Sequence, residues 1–343
     1  MIKEKFPAFV FFLLVMPYLL SSAGCAGKRP VSDDLALLAD LRRLGEMEKG
    51  ITLVAPSSGM SERGVETISQ LAEAVNAKLP GGTFKPGAVP YNANEDEARL
   101  HFLAEALNDP RAGIVWAVRG GYGSSRLLAG LRPLRLTPKI VIGYSDMTFL
   151  HLFLHKLGWR TVHGSMFGEL NSAEKDKDNF RILADLLNGR LSHLRYDGLK
   201  PVNKAALESG KHISGTLAGG NLTCLAAAAG TPWFLEPKGK IIFLEDGGEP
   251  GYKIDRMLTQ LRGAGAFQGA RAVVLGEFTP GDGFTEFALD RFARELGKPV
   301  FRSDKFGHGP KNYPLILNAP AVINRSGADV FSLVIDGRAL VKR

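Results

Sequence analysis

Three side chains in this sequence have the types that acyl transfer needs, and they occur in the order serine, acid, histidine: Ser145, Glu245 and His308. Ser145 lies in Gly143-Tyr-Ser-Asp146, between an apolar run at 139–143 and a segment of helical character at 147–157. A serine on such a turn is lifted clear of a sheet. The helix that follows offers free backbone N–H groups and a positive potential. An attacking hydroxyl benefits from both, because the tetrahedral oxyanion needs preorganised donors beside it. The hydrolase elbow is written G-x-S-x-G, and here Met147 holds the place of the last glycine. Glu245 and Asp246 follow the apolar run 241–244, and ligands of open α/β sheets bind beyond the carboxyl ends of strands. His308 sits in Phe306-Gly-His-Gly-Pro310, where bare backbone leaves an imidazole accessible. Taken singly, each residue has a plainer role: Ser145 as a helix N-cap, Glu245 as a capping or ion-paired acid, His308 as a solvated loop residue. Taken together, serine, then acid, then histidine is one of the known chain orders of a catalytic triad. The serine would attack, the histidine would take and return its proton, and the glutamate would hold the imidazole's orientation and charge.

These residues need elements to hold them. The run 51–55 stops at Pro56-Ser57-Ser58-Gly59 and reads as a strand. Asn94 with Glu97 suggests a capping box for a helix over 95–107, ended by Asn108-Asp109-Pro110. Residues 113–118 and 139–143 read as further strands, with the loop Arg119-Gly-Gly-Tyr-Gly123 between them. Strand, loop and helix in repetition argue for a mostly parallel sheet covered on both faces. The second half brings strands at 241–244, 272–275 and 330–335, with helices near 254–261 and 286–296. At 343 residues the chain exceeds the usual reach of one core, so two domains are expected. The expected division is a nucleophile domain at 49–170, a linker at 171–210 around the charged break 171–178, and a C-terminal domain at 211–343.

The sequence contains, in this order, Arg119-Gly-Gly-Tyr-Gly123, Ile142-Gly-Tyr-Ser-Asp-Met-Thr148, His163-Gly164, Gly219-Gly-Asn-Leu222, Gly230-Thr-Pro-Trp233, Phe243-Leu-Glu-Asp246, Tyr252-Lys-Ile-Asp-Arg-Met-Leu258 and Phe306-Gly-His308. This set of ordered motifs is similar to that of the L,D-carboxypeptidases, serine peptidases that include muropeptide carboxypeptidases and microcin-C self-immunity peptidases. The resemblance runs from about residue 50 to 340. It implies that Ser145 is the nucleophile and that Glu245 and His308 complete its triad. The Arg119–Gly123 loop would lie beside the serine, so Gly120 or Gly121 would share the oxyanion with the N–H of Asp146. The implied architecture is α/β with two domains: a mostly parallel sheet flanked by helices, then a smaller mixed α/β domain, the active site in the cleft between them, commonly in a homodimer. The implied substrate is a peptidoglycan-derived tetrapeptide cut before its terminal D-alanine. A peptidase that disarms a peptide–nucleotide antibiotic, and a lipoprotein that binds wall peptides without cutting them, are the competing functions. A carboxypeptidase must also recognise a terminal carboxylate, for which Arg256, on a segment of helical spacing, is the candidate.

Composition narrows the setting. Apolar residues at 45% and charged residues at 23% describe a folded chain. The net charge of +8 is scattered and forms no nucleic-acid-binding arm, so no nucleic-acid partner is expected. Lys3 and Lys5, the apolar stretch 6–20 and the small residues Ser21 to Gly24 read as an export signal over 1–24. Cys25 ends a box like that of bacterial lipoproteins, which predicts a lipid anchor, a tether at 25–48 with one helical stretch around 34–45, and a periplasmic address. The other cysteine, Cys224, lies in an apolar run and is expected to be a buried free thiol. His151 and His155 are four apart, but Leu152 replaces the glutamate of H-E-x-x-H, so no metal is expected. Gly121-Tyr-Gly123-Ser-Ser-Arg126 lacks the third glycine of a dinucleotide loop, and no cofactor is expected either.

Overall fold

The computed structural model describes residues 31–327 and 329–341, so the export segment and Cys25 lie outside the described residues. Four parallel strands, β1 (Gly50–Val54), β2 (Ala112–Ala117), β3 (Ile140–Gly143) and β4 (Thr161–His163), run side by side in that order. All six residues of β2 are buried, as expected of a strand covered on both faces. Helices α1 (Val31–Gly45), α2 (Glu62–Ala74), α3 (Asp96–Asn108), α4 (Thr148–Lys156) and α5 (Asp178–Leu187) accompany this sheet. The capping box expected at Asn94 does not form, because Glu95 is the N-cap and has no side-chain cap bond. Asn94 Oδ1 instead accepts the N–H of Glu95 at 2.9 Å.

The second sheet is a closed barrel. Its strands are β5 (His193–Pro201), β6 (His212–Asn221), β7 (Lys240–Asp246), β8 (Ala272–Phe278), β9 (Val300–Gly307), β11 (Pro320–Arg325) and β12 (Phe331–Asp336). Strands β6 to β9 are parallel neighbours, and antiparallel pairing of β11 with β6 closes the ring. Helices α6 (Leu222–Ala228), α7 (Gly251–Gly263) and α8 (Thr285–Leu296) belong to this half. The remaining strand, β10 (Leu315–Leu317), leaves the barrel and pairs antiparallel with β4, completing the first sheet.

Three segments differ from the expected division. The stretch 171–210 is not a linker, since it supplies α5 and the barrel strand β5. The helical stretch expected within a tether is α1, but it is not a tether, since it buries Leu37, Leu38, Leu41 and Leu44 in the core. The C-terminal domain is not separate in sequence, because β10 belongs to the first sheet. The two sheets are packed together. Ile51, Trp116 and Ile142 share one apolar cluster with Ile241 and Phe243, while Val115 and Val141 share the other with Ile242 and Leu244.

Behind the end of β3 lies a group of buried histidines with a consequence for acid stability. His151 and His163 have no exposed surface. Burial holds the His151 imidazole down to about 4 and that of His163 well below the ordinary histidine value. Below about pH 6.5 the unfolded chain binds protons that these two sites refuse, so stability falls as pH drops from 6.5 toward 4. His151 alone contributes a loss of about 3 kcal/mol across that window. Urea midpoints measured from pH 7 to 4.5 should therefore decline, and His151→Gln should flatten the decline. A midpoint constant down to pH 4.5 would contradict the burial argument.

Candidate active site

The turn after β3 is shaped by sequence. A Cβ on Gly143 (φ 158°) would stand 2.8 Å from Met147 Cγ, so the chain turns tightly there only with glycine. Tyr144 is extended, and Ser145 then takes φ 57°, a left-handed conformation that is costly for any residue with a Cβ. Residues Ser145–Met147 form a 3-10 turn leading into α4. The Asp146 N–H stands in the first turn, where no helical carbonyl reaches it. Its buried carboxylate accepts Ser57 Oγ–H at 2.6 Å and the Ser124 N–H at 2.8 Å. Asp146 thereby ties the loops after β1 and β2 to the nucleophile turn.

The glycine loop lies against that turn. A Cβ on Gly120 would fall 3.0 Å from Ser145 Cβ and 3.2 Å from its Oγ, so only a glycine gives Ser145 this much room. A Cβ on Gly121 (φ 109°) would collide with Ser58, whose Oγ accepts the Tyr122 N–H at 3.1 Å. Gly120 thus touches the serine, and Gly121 lets the loop seat on Ser58.

Glu245 falls on the same strand parity as Ile241 and Phe243, which points it into the barrel side of β7, and it has no exposed surface. His308 follows the end of β9, and its Nδ1–H donates to Glu245 Oε2 at 2.5 Å. Glycines make room for the pair: a Cβ on Gly247 would meet the imidazole at 2.6 Å, and one on Gly276 would meet Glu245 Cβ at 3.2 Å. Burial alone would depress the His308 imidazole, but the Glu245 charge and hydrogen bond, with Asp246 nearby, outweigh it and raise the imidazole above its ordinary value. The neighbouring Asp246 has a different occupation. It accepts from Asn221 Nδ2 (2.9 Å), the Thr223 N–H (2.9 Å) and hydroxyl (2.7 Å), and the Gly247 N–H (2.8 Å), which secures the start of α6.

A polar cluster joins the serine turn to the histidine loop. Tyr144 O–H donates to Glu169 Oε1 at 2.6 Å, and Lys175 Nζ lies 3.3 Å from that same oxygen. Lys175 also donates to the carbonyls of His308 (3.2 Å) and Gly309 (2.9 Å). The tyrosine and histidine rings stand 4.9 Å apart. Sequence reading misses Glu169 and Lys175. Lys175 sits in the charged run that reads as a break, and nothing in the order of residues signals which cation of such a run turns inward.

Ser145 and His308 line one cleft of about 590 Å³, walled by Gly64, Thr67 and Ile68 of α2 and by the loop Arg119-Gly120-Gly121. Arg256 does not join it. Its side chain is exposed on α7 and its guanidinium lies 5.9 Å over the Tyr252 ring, one helical turn back, so the structure does not bring it to the cleft that holds Ser145 and His308. Cys224 is a buried free thiol whose Sγ–H donates to Ser145 O at 3.7 Å, and burial pushes it well above the ordinary thiol range. His151 Nε2–H donates to Gly143 O at 2.9 Å, supporting the turn from behind. Among the described residues no group of three histidine, cysteine or acidic side chains could hold a metal ion.

Known proteins share this arrangement of a parallel-rich sheet and a barrel. The solved muramoyltetrapeptide carboxypeptidase from Oxalobacter formigenes superposes with a TM-score of 0.72 at 27% identity, covering 84% of this chain and 98% of that one. The microcin C7 self-immunity protein superposes at 0.69 with 19% identity, a likeness of fold alone. The models of the LD-carboxypeptidase N-terminal and C-terminal domains match residues 51–164 and 214–323. A Rickettsia prowazekii relative is 37% identical over 83% of this chain and 90% of its own. The murein tetrapeptide carboxypeptidase of Pseudomonas aeruginosa is 31% identical over 76% of this chain and 89% of its own. The chain belongs to the LD-carboxypeptidase family.

Proposed function

We propose that this protein is a serine carboxypeptidase that hydrolyses the L,D-peptide bond before the terminal D-alanine of peptidoglycan-derived tetrapeptides. The observation that carries the reading is the Glu245–His308 hydrogen bond at a cleft that also holds the left-handed Ser145. His308 Nε2 accepts the Ser145 hydroxyl proton as Oγ bonds to the scissile carbonyl carbon. The oxyanion accepts from the N–H of Asp146 and from that of Gly120 or Gly121. The C–N bond then breaks, His308 returns the proton to the leaving amine, and D-alanine departs. Water, deprotonated by His308, releases the acyl group from Ser145. Glu245, buried and bonded to Nδ1, fixes the tautomer that exposes Nε2 as base.

The cleft favours a peptide over a peptide–nucleotide. Among its described lining residues Tyr144 is the only tyrosine, phenylalanine or tryptophan, and it is 5% exposed, so the wall of the cleft itself offers a purine little ring surface. A binder that does not cut has no use for a carboxylate–imidazole pair beside a strained serine. The export signature and Cys25 support placing the enzyme in the periplasm on a lipid anchor, and the family resemblance supports a homodimer.

The test incubates the protein with a tetrapeptide ending in D-alanine and, in parallel, with its L-alanine-terminated epimer. Release of D-alanine and not of L-alanine is the expected result. Binding of the peptide without release would hand the function to the non-catalytic reading.

A further inference from the structure

We infer that Arg119 is the residue that recognises the carboxylate of the departing D-alanine, an assignment that rests on the carboxypeptidase reading above. A terminal carboxylate in a cleft needs a cationic partner, and a planar guanidinium meets both oxygens at once. Three ionisable side chains other than Tyr144 line the cleft: Arg119, Glu169 and His308. Two are already engaged. Glu169 receives the Tyr144 hydroxyl, the Met166 N–H at 3.0 Å and the ammonium of Lys175, and His308 is held by Glu245. Arg119 is exposed and is the only arginine or lysine among the described lining residues.

Its anchoring suits the task. One guanidinium nitrogen, Nη1, donates to Gly59 O at 2.6 Å, which steadies the side chain on the loop after β1. Of the five N–H donors of an arginine, the other four have no hydrogen-bond partner among the described residues. The next residue in the chain is Gly120, the one that touches Ser145. In a substrate the terminal carboxylate lies one residue, about 3.8 Å of chain, beyond the attacked carbonyl. Arg119 is the chain neighbour of the glycine at the nucleophile, and its side chain lines the same cleft as Ser145. The motif that gives the serine its room therefore also carries the cation that measures the end of the peptide.

The experiment compares kcat/KM for a D-alanine-terminated tetrapeptide and for the same peptide ending in D-alaninamide. The parent should prefer the acid. In Arg119→Met the acid substrate should lose about 10- to 100-fold, and the ratio of acid to amide should fall to near one. Arg119→Lys, with charge but no fork, should lie between them. If the parent cleaves neither peptide, the carboxypeptidase reading itself fails. If the parent prefers the acid and Arg119→Met keeps that preference, the assignment is overturned. It is overturned even when both rates fall together, since an equal fall reports a disturbed Gly120 backbone and not a lost carboxylate contact. A parent without any preference overturns it as well.

Discussion

Ser145→Ala is expected to lower kcat for D-alanine release by about 10⁶-fold, the scale of removing a nucleophilic serine from a triad. The rest of the site stays, so KM should change little and bound peptide should still be detected. The backbone makes a second expectation available. Ser145 holds φ 57°, and a left-handed residue with a Cβ costs about 1–2 kcal/mol that a glycine does not. Ser145→Gly should therefore be as inactive as Ser145→Ala but more stable than either the parent or the alanine variant. Paired thermal melts and single-turnover assays check both. Residual activity within a hundredfold of the parent would remove Ser145 from the chemistry. A glycine variant no more stable than the alanine one would show that the turn is unstrained.

Glu245→Gln should lower kcat by about 10⁴-fold, as when a triad acid loses its charge and the histidine takes the wrong tautomer. It should also move the acid limb of kcat/KM. His308 must be neutral to accept the serine proton, and the Glu245 charge 2.5 Å away is what raises its titration above the ordinary histidine range. With the Glu245 charge gone, burial, the largest of the influences on His308, is opposed only by the lesser pull of Asp246, and the neutral imidazole is favoured. The limb therefore shifts to lower pH in the variant even as the plateau collapses. A pH–rate profile over about pH 5–9 reads both effects. A limb that stays in place, or one that moves up, would mean that the pair does not control the proton transfer. Because Glu245 is fully buried, Glu245→Ala would leave a cavity and confuse packing with charge, so the isosteric amide is the cleaner variant.

The parts of this molecule that can be read from sequence are those whose signal is local. Strands β2 and β7 are continuous apolar runs, and α7 and α8 carry apolar residues at helical spacing, so the pattern places each within a few residues. Strands β4 and β10 have three residues each, too few to show a period. β5 alternates buried Leu194 and Tyr196 with exposed neighbours, but Gly198 interrupts it and its surroundings are charged, so it reads as linker. Closure of the barrel by β11 on β6 joins residues more than a hundred positions apart, which no local pattern reports. The site divides the same way. Ser145, Glu245 and His308 each sit at an element end flanked by glycine or an apolar run, and motif order groups them. Lys175 and Glu169 have no such context, and only the folded chain brings them to Tyr144. Arg256 has the right chemistry but occupies the exposed face of its helix.

The return of β10 to the first sheet bears on how the chain can be made and divided. On the ribosome, the first sheet cannot be completed when residue 187 emerges, because the strand that covers β4 is more than a hundred positions further on. Until then β4 presents an unpaired edge, open to pairing with another nascent chain. A fragment cut at any apparent boundary between the halves would keep that edge for good. The two halves are thus one unit of synthesis and of folding. Splitting the gene between them should give fragments that dissolve and fold only when produced together.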